Sequence, residues 1–373
     1  MELEELKTPC LVLDIERVRR NAERMSRRVR ASGTNLRPHV KTHKCVEVAR
    51  LQTEGHTGAI TVSTLFEARA FSQHGFTDIL YAVPVEPGKF DEAIEISRRC
   101  ESFALITDDV EIPAQLNERA RRAGVSLDIF LKIDCGYHRC GVEPESAEAL
   151  EIPRRILDSS NLRFKGILTH AGHSYHCRNR EELLALARHE RDSMFEMAER
   201  LRSLDIPVAV VSIGSTPTMT HIDHLEGIDE ARPGNYIFFD AFQATLGSCG
   251  FDDCALSVLA AVTHRDAARR KVVLDAGAIA LSKDRGAVEL DPDCGYGLVL
   301  DIKGRDTGAR LAGLSQEHGE VLVDDEETFN RLKVGTRVRV LANHSCLTAA
   351  QHSHYNVLEQ GRIVERWQIQ RGW

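Results

Sequence analysis

The sequence predicts an α/β fold: a (β/α)8 barrel of the TIM type followed by a mainly β C-terminal domain. Two observations carry this. The first two thirds alternate between short apolar or β-branched runs and longer amphipathic runs, which is the pattern of parallel β-α units. From about Ala255 onward the rhythm changes to strand-like runs separated by turn residues, and long helical patterns become scarce.

The barrel strands are expected at 36–41, 59–63, 78–83, 102–107, 126–134, 162–170, 208–214 and 228–234. Eight units in roughly 200 residues suit a closed barrel; an open doubly wound sheet is the rival that strand counting leaves standing. The clearest helix is expected at 180–204, where apolar residues recur at three- and four-residue steps. The pattern at 147–157 is weaker, because Pro153 interrupts it. Ahead of the barrel, 9–14 reads as a strand and 15–32 as a long basic helix. The later strands are expected at 272–277, 297–301, 309–314, 336–342 and 363–369. The expected domains are therefore 15–250 for the barrel, and 251–373 plus 1–14 for the β-rich domain.

Lys and Arg number 48 and Asp and Glu 56, a net charge of −8, which argues against a nucleic-acid partner held by bulk electrostatics. No apolar run approaches the roughly 18 residues of a membrane span. The acidic start Met-Glu-Leu-Glu-Glu-Leu-Lys lacks the layout of a signal peptide. Ten cysteines without CxxC spacing read as mostly reduced thiols, so a cytoplasmic protein is expected.

In such a barrel, function collects at the C-terminal ends of the strands. Lys41 ends the first strand, where an apolar mouth favours the neutral amine that forms Schiff bases; most lysines, however, are solvated surface residues. After the fifth strand, glycines flank Arg139 in a turn that presents it inward or leaves it on the surface. The sixth strand ends in His170, which would stack on or hydrogen-bond to a bound ring, or serve as a satisfied core histidine. After strands seven and eight come Gly214-Ser215-Thr216-Pro217 and Pro233-Gly234-Asn235. Small turns at those two positions are where barrels bind phosphate, through backbone N–H groups and hydroxyls. A lysine after strand one with a phosphate cup after strands seven and eight fits pyridoxal phosphate. In the β domain, His344 and Cys346 stand two apart, so both could reach one zinc ion, with positions left open for water or substrate; read alone, the pair is more often a buried thiol beside a chance histidine. Gln316-Glu317-His318-Gly319 forms a second polar knot with no spacing argument behind it.

Taken together, these motifs resemble the fold-type III pyridoxal-phosphate enzymes of the D-threonine aldolase and D-serine dehydratase group, built on the alanine-racemase-type barrel. The resemblance runs almost end to end. It rests on Arg37-Pro38-His39-Val40-Lys41-Thr42-His43-Lys44, Thr61-Val62-Ser63-Thr64, 131–142, 214–217, Pro233-Gly234-Asn235-Tyr236-Ile237-Phe238, 273–282, 316–319, 344–348 and the terminal Arg371-Gly372-Trp373. It implies that Lys41 forms the Schiff base with the cofactor, that Arg139 faces its phenolic oxygen, and that Tyr175 or a neighbour sits near the pyridine nitrogen. Gly214, Ser215, Thr216, Gly234 and Asn235 would hold the phosphate. His344 and Cys346 would hold Zn2+ or another divalent metal. It also implies a homodimer in which the β domain of one subunit closes the barrel mouth of the other. His-x-Cys, in place of the His-x-Asp of the aldolase branch, is similar to the dehydratase branch. The expected activity is β-elimination of D-serine to pyruvate and ammonia. D-threo-3-hydroxyaspartate dehydratase and D-threonine aldolase activities are the alternatives, and a pyridoxal-phosphate homeostasis protein is the non-enzyme one.

Overall fold

The computed structural model describes residues 1–373. The chain divides into two compact units. One comprises Met1–Glu23, Thr42–Val48 and Asn235–Ile369; the other comprises Arg24–Lys41, Ala49–Gly234 and Gln370–Trp373. This division places 235–250 with the β-rich part, whereas the sequence reading ends the barrel domain at 250.

The second unit is the barrel. Its eight parallel strands are Asn35–Leu36, Ile60–Val62, Asp78–Pro84, Ser102–Thr107, Leu127–Lys132, Leu162–Leu168, Val210–Ile213 and Glu230–Ala231. Each pairs with its neighbour in sequence, and the last pairs with the first. A parallel bridge between His39 and Thr61 joins the first strand to the second and closes the ring. The first and last strands are shorter than their apolar runs. Pro38 and Pro233 lack an N–H, so neither can continue a ladder. Inside, Leu80, Ala104, Ile106, Phe130 and Leu168 form one buried layer. Strands six and seven approach so closely that a Cβ on Gly166, at φ +149°, would lie 1.9 Å from the Val210 carbonyl oxygen.

Helix formation follows local chemistry. The helix Arg180–Ser203 starts where the Asn179 side chain accepts a hydrogen bond from the Glu182 N–H at 2.9 Å. The helix Glu148–Leu157 forms despite Pro153. The proline withholds a bond from the Ala149 carbonyl, but Ala149, Ile152, Pro153 and Ile156 are all buried on one face, and that burial outweighs the lost bond.

The first unit is built on a nine-stranded, mostly antiparallel sheet. The strand Cys10–Asp14 lies inside it, antiparallel to Leu256–Asp266 and parallel to His354–Glu359. Leu256–Asp266 begins in the strand-sized apolar run at 255–262, whereas two strands, Gly319–Leu322 and His354–Glu359, fall in no segment expected from the sequence. No helix is long and apolar enough to cross a membrane.

The barrel seam carries a part-buried charge network. Arg37 meets Asp78 Oδ1 at 2.7 Å and Glu230 Oε2 at 2.5 Å, so one guanidinium ties the first strand to the third and the eighth. Arg37→Met leaves two carboxylates without their cation. The expected loss is about 3 kcal/mol or more, since breaking a buried pair exposes the partner's desolvation cost. Denaturant unfolding of the variant beside wild type checks this, and an unchanged midpoint would show that the ring closes without the ion pairs.

Candidate active site

In the barrel unit, Lys41 follows the closing bridge by two residues, within the single turn Val40–Thr42. Its backbone N–H reaches His39 Nδ1 at 3.4 Å. The fold thus brings Lys41 to the C-terminal mouth. His170, just past the end of the sixth strand, is neutral at neutral pH. Burial is the larger cause, and the positive charges of Lys41, Lys132, Arg139 and Arg232 add to it.

Two of those cations are site residues that the sequence reading passed over. Lys132 ends the fifth strand, 5 % exposed, and its Nζ donates to the Ile133 carbonyl at 3.1 Å. Burial first, and then Arg232, push its amine down to about 8. Arg232 follows the eighth strand and is also buried. It donates to Ser212 Oγ and the Thr169 carbonyl. Burial lowers its guanidinium to about 10 against the pull of Glu230 and Glu190. The available signal was a charged residue closing an otherwise apolar run.

Arg139 belongs to a loop organised by Asp134. Asp134 Oδ1 accepts from the N–H groups of Gly136, Tyr137 and His138 at 2.9, 2.8 and 3.1 Å. These bonds overcome burial and hold the carboxyl below its usual range. Arg139 itself is exposed rather than turned fully inward. Its guanidinium lies 5.0 Å from the centre of the Tyr137 ring. Tyr137 also stacks on His173 and meets His170 edge-on. Gly172 permits this, because a Cβ there would fall 2.2 Å from the Tyr137 ring. Tyr175 is half-buried in the adjoining turn Gly172–His176. His138 is exposed beside Asp134.

The turn after strand seven is tightly self-bonded. Ser215 caps the helix Thr216–His221 by accepting from the Thr218 N–H at 3.2 Å, while its own N–H donates to Thr218 Oγ1 at 3.0 Å. Gly214 N–H donates to Glu190 Oε1 at 3.2 Å, and the same oxygen takes the Ala171 N–H at 3.0 Å. Ser174 and Ser215 hydroxyls are 3.0 Å apart. A phosphate at this turn therefore competes for the Gly214 and Ser215 N–H groups, or meets the hydroxyls of Ser215 and Thr216. Thr216 and Gly234 are both buried.

Asn235 falls in the β-rich unit, and its side chain is engaged there. Its Nδ2 donates to Asp240 Oδ2 at 2.7 Å and Ser345 Oγ at 3.1 Å, with Cys346 Sγ at 3.5 Å. A phosphate contact from Asn235 would have to come from its backbone. Asp240 is a buried hub: besides Asn235, it accepts from the Ser345 N–H and hydroxyl and from the Gln243 N–H.

His344 and Cys346 are brought together in the same unit. Burial alone would raise the Cys346 thiol. Contact with His344 and a hydrogen bond to Thr42 Oγ1 at 3.3 Å outweigh it and bring the thiol to about 7. Asp284 Oδ2 lies 2.6 Å from His344 Nδ1. No group of three or more His, Cys, Asp and Glu residues is placed to hold a metal. His344 and Cys346 are two donors of the kinds a metal takes. Gln316, Glu317 and His318 are exposed.

A closed parallel barrel with a lysine at the mouth end of its first strand, followed by an antiparallel β unit, is the architecture of a fold-type III pyridoxal-phosphate enzyme. Residues 13–241 match the family described as alanine racemase, N-terminal domain, and residues 255–358 match a serine dehydratase domain. The chain belongs to this family of pyridoxal-phosphate lyases. It is 41 % identical to D-threo-3-hydroxyaspartate dehydratase of Delftia sp. (strain HT23), over 99 % of this chain and 98 % of that one. The solved structure of that enzyme superposes with a TM-score of 0.96, covering 100 % of each chain. Two solved variants of it carry a cysteine-to-alanine substitution, in a metal-free form, and a histidine-to-alanine substitution two positions away. D-Serine dehydratase of Dictyostelium discoideum is 33 % identical over 100 % of this chain and 98 % of its own. D-Threonine aldolase of Filomicrobium marinum is 26 % identical with a TM-score of 0.87, covering 99 % of this chain and 97 % of that one.

The buried Lys132 makes a pH-dependent prediction. Its amine titrates near 10.5 when unfolded and about 8 when folded. Between those values the unfolded chain holds more protons, so stability rises with pH, and the full penalty applies below about 8. In cofactor-free protein, Lys132→Met should raise stability at pH 7 by on the order of 3 kcal/mol. The gain should vanish by about pH 10.5. Thermal melts across that range check it.

Proposed function

We propose that this protein is a dehydratase of 3-hydroxy-D-amino acids that uses pyridoxal phosphate and a divalent metal. The single observation that carries the reading is that the His344 imidazole and the Cys346 thiol meet at the start of the helix Ser345–Ala350, one nitrogen and one soft sulfur donor. The barrel residues fit the cofactor by their chemistry. Lys41, Lys132, Arg139 and Arg232 surround a neutral His170, and Glu190 and Glu230 balance only part of that charge. Such a set suits an anionic, phosphorylated ring. Imidazole plus thiolate suits Zn2+ among the divalent ions, with the other positions open to water or substrate.

When bound, the cofactor supplies a conjugated sink for charge at Cα, and the metal supplies Lewis acidity toward a leaving hydroxyl. The chain's residues do the rest. Lys41 Nζ would hold the cofactor aldehyde and would be the base that takes the proton from the substrate Cα. Arg139 holds the phenolic oxygen, and Tyr175 is the proposed partner of the pyridine nitrogen. Ser215, Thr216, Gly214, Gly234 and the backbone of Asn235 hold the phosphate. His170, kept neutral by its surroundings, lies against the ring without adding charge. His344 and Cys346 hold the metal. The large apolar side chains of Ile279 and Leu347, about half exposed on two neighbouring short helices, support a homodimer.

D-threo-3-Hydroxyaspartate, giving oxaloacetate and ammonia, is the first substrate in this reading. The 41 % identity to a dehydratase of that name supports it over the D-serine that the sequence motifs favour, and the cation-rich mouth suits a second carboxylate. D-Serine, giving pyruvate and ammonia, is the second, supported by the 33 % relative.

Purified protein offered both substrates, L-serine and D-threonine, with and without chelator, tests the proposal. Keto-acid release from a D-substrate that chelation abolishes is the expected result. Acetaldehyde and glycine from D-threonine would move the protein to aldol cleavage. Lys41→Ala should lose the visible absorbance of bound cofactor together with at least about 1000-fold in rate, as expected for removal of the group that both holds the cofactor and moves the proton. A retained band would remove Lys41 from its role.

A further inference from the structure

Asp284 is 60 positions from His344 in the chain, yet its Oδ2 lies 2.6 Å from His344 Nδ1. The contact is built, not incidental. On one side of Asp284, the Leu281 carbonyl accepts from Thr348 Oγ1 at 2.8 Å, in the helix that follows His344. On the other side, the Arg285 carbonyl accepts from Asn343 Nδ2 at 3.0 Å, in the residue just before His344. The Asn343 side chain also reaches the Gly295 carbonyl at 3.0 Å, so it clamps two segments at once. The loop between these anchors is itself fixed. Asp284 Oδ1 accepts the Gly286 N–H at 2.7 Å, and the Asp284 N–H reaches Ser282 Oγ at 3.3 Å. Gly286, at φ +55°, packs against the Phe242 side chain so closely that a Cβ would stand 3.1 Å from it.

We infer that Asp284 is a positioning residue that holds His344 for metal binding; this rests on the metal reading of His344 and Cys346 given above. An imidazole that donates Nδ1–H to a carboxylate keeps its lone pair on Nε2 and has its ring orientation fixed. Asp284 thereby sets which nitrogen of His344 meets the metal and makes that nitrogen a better donor. A pair with only two protein ligands depends on such fixation more than a four-ligand site does, because each donor carries a larger share of the binding.

Chelator-treated protein retaining its cofactor is titrated with Co2+ by calorimetry. The thiolate–cobalt band in the difference spectrum reports the ligand. Wild type should bind with that band, and His344→Ala should not. Asp284→Ala should weaken the Co2+ dissociation constant about 10- to 100-fold, the usual effect of losing an outer-shell partner. Asp284→Asn should fall between them, since its amide oxygen still accepts the Nδ1 proton. Cofactor absorbance read on the same samples shows that each variant is folded, and if Asp284→Ala is not, the Asn variant decides. Equal Co2+ affinity in wild type and a folded Asp284 variant would overturn the positioning role while leaving the metal site intact. Absence of the band in wild type, or its survival in His344→Ala, would overturn the metal reading and this inference with it.

Discussion

The barrel depends on closing a ring whose first and last strands are two residues each, Asn35–Leu36 and Glu230–Ala231. Two residues supply little ladder bonding, so the seam needs other contacts. The His39–Thr61 bridge and the Arg37 links to Asp78 and Glu230 provide them. Glu230 is used twice, since its Oε1 also takes the Ser212 hydroxyl at 2.6 Å. The prolines that cut the end strands short also free the chain to turn at the mouth, which is where Lys41 stands. The position of Lys41 is therefore a product of how the ring is closed.

The same mouth gathers four cations, Lys41, Lys132, Arg139 and Arg232, around His170. Burying like charges is costly, and the lowered titration of Lys132 and Arg232 records that cost. Glu190 offsets part of it while bonding to the Ala171 and Gly214 N–H groups, the turns after strands six and seven. It reaches them because it projects from a 24-residue helix that is itself well capped. A fold that gathers several cations at one end gives up stability for affinity toward an anion. That is the trade expected at a functional site and not in a structural core.

The regular part of the fold was legible in the sequence because buried parallel strands read as continuous apolar runs: six strands lie within their expected segments, Asp78–Pro84 runs one residue past its own, and Asn35–Leu36 shares only Leu36 with the expected 36–41. Their ends were not, because Pro38 and Pro233 stop hydrogen bonding inside runs that remain apolar. His354–Glu359 escaped because His, Asn and Glu break its apolar pattern, although Tyr355 is fully buried and donates its hydroxyl to the His43 carbonyl at 2.7 Å. Among candidate site residues, Lys41, His344 and Cys346 were visible as local motifs. Asn235 looked like part of a phosphate turn, but its side chain serves Asp240 and Ser345. Lys132 and Arg232 left only a faint local signal, a charged residue closing an apolar run, whereas Asp284 left none, because its partner His344 is 60 positions away.

Asp240 shows how far that dependence extends. It is 2 % exposed and takes donors from Asn235, Gln243 and Ser345, three separate points of the chain. One oxygen caps a short helix, and the other fixes the residue between His344 and Cys346. Asp284 fixes the imidazole from the opposite flank of that segment. Two carboxylates thus constrain the backbone and the ring around His344 and Cys346. Softness of the thiol selects among metals, whereas rigidity sets how tightly a two-donor site can bind any of them. In this protein the rigidity comes from residues far apart in sequence, so a His-x-Cys pair elsewhere, without equivalents of Asp240 and Asp284, carries much less weight as a metal site.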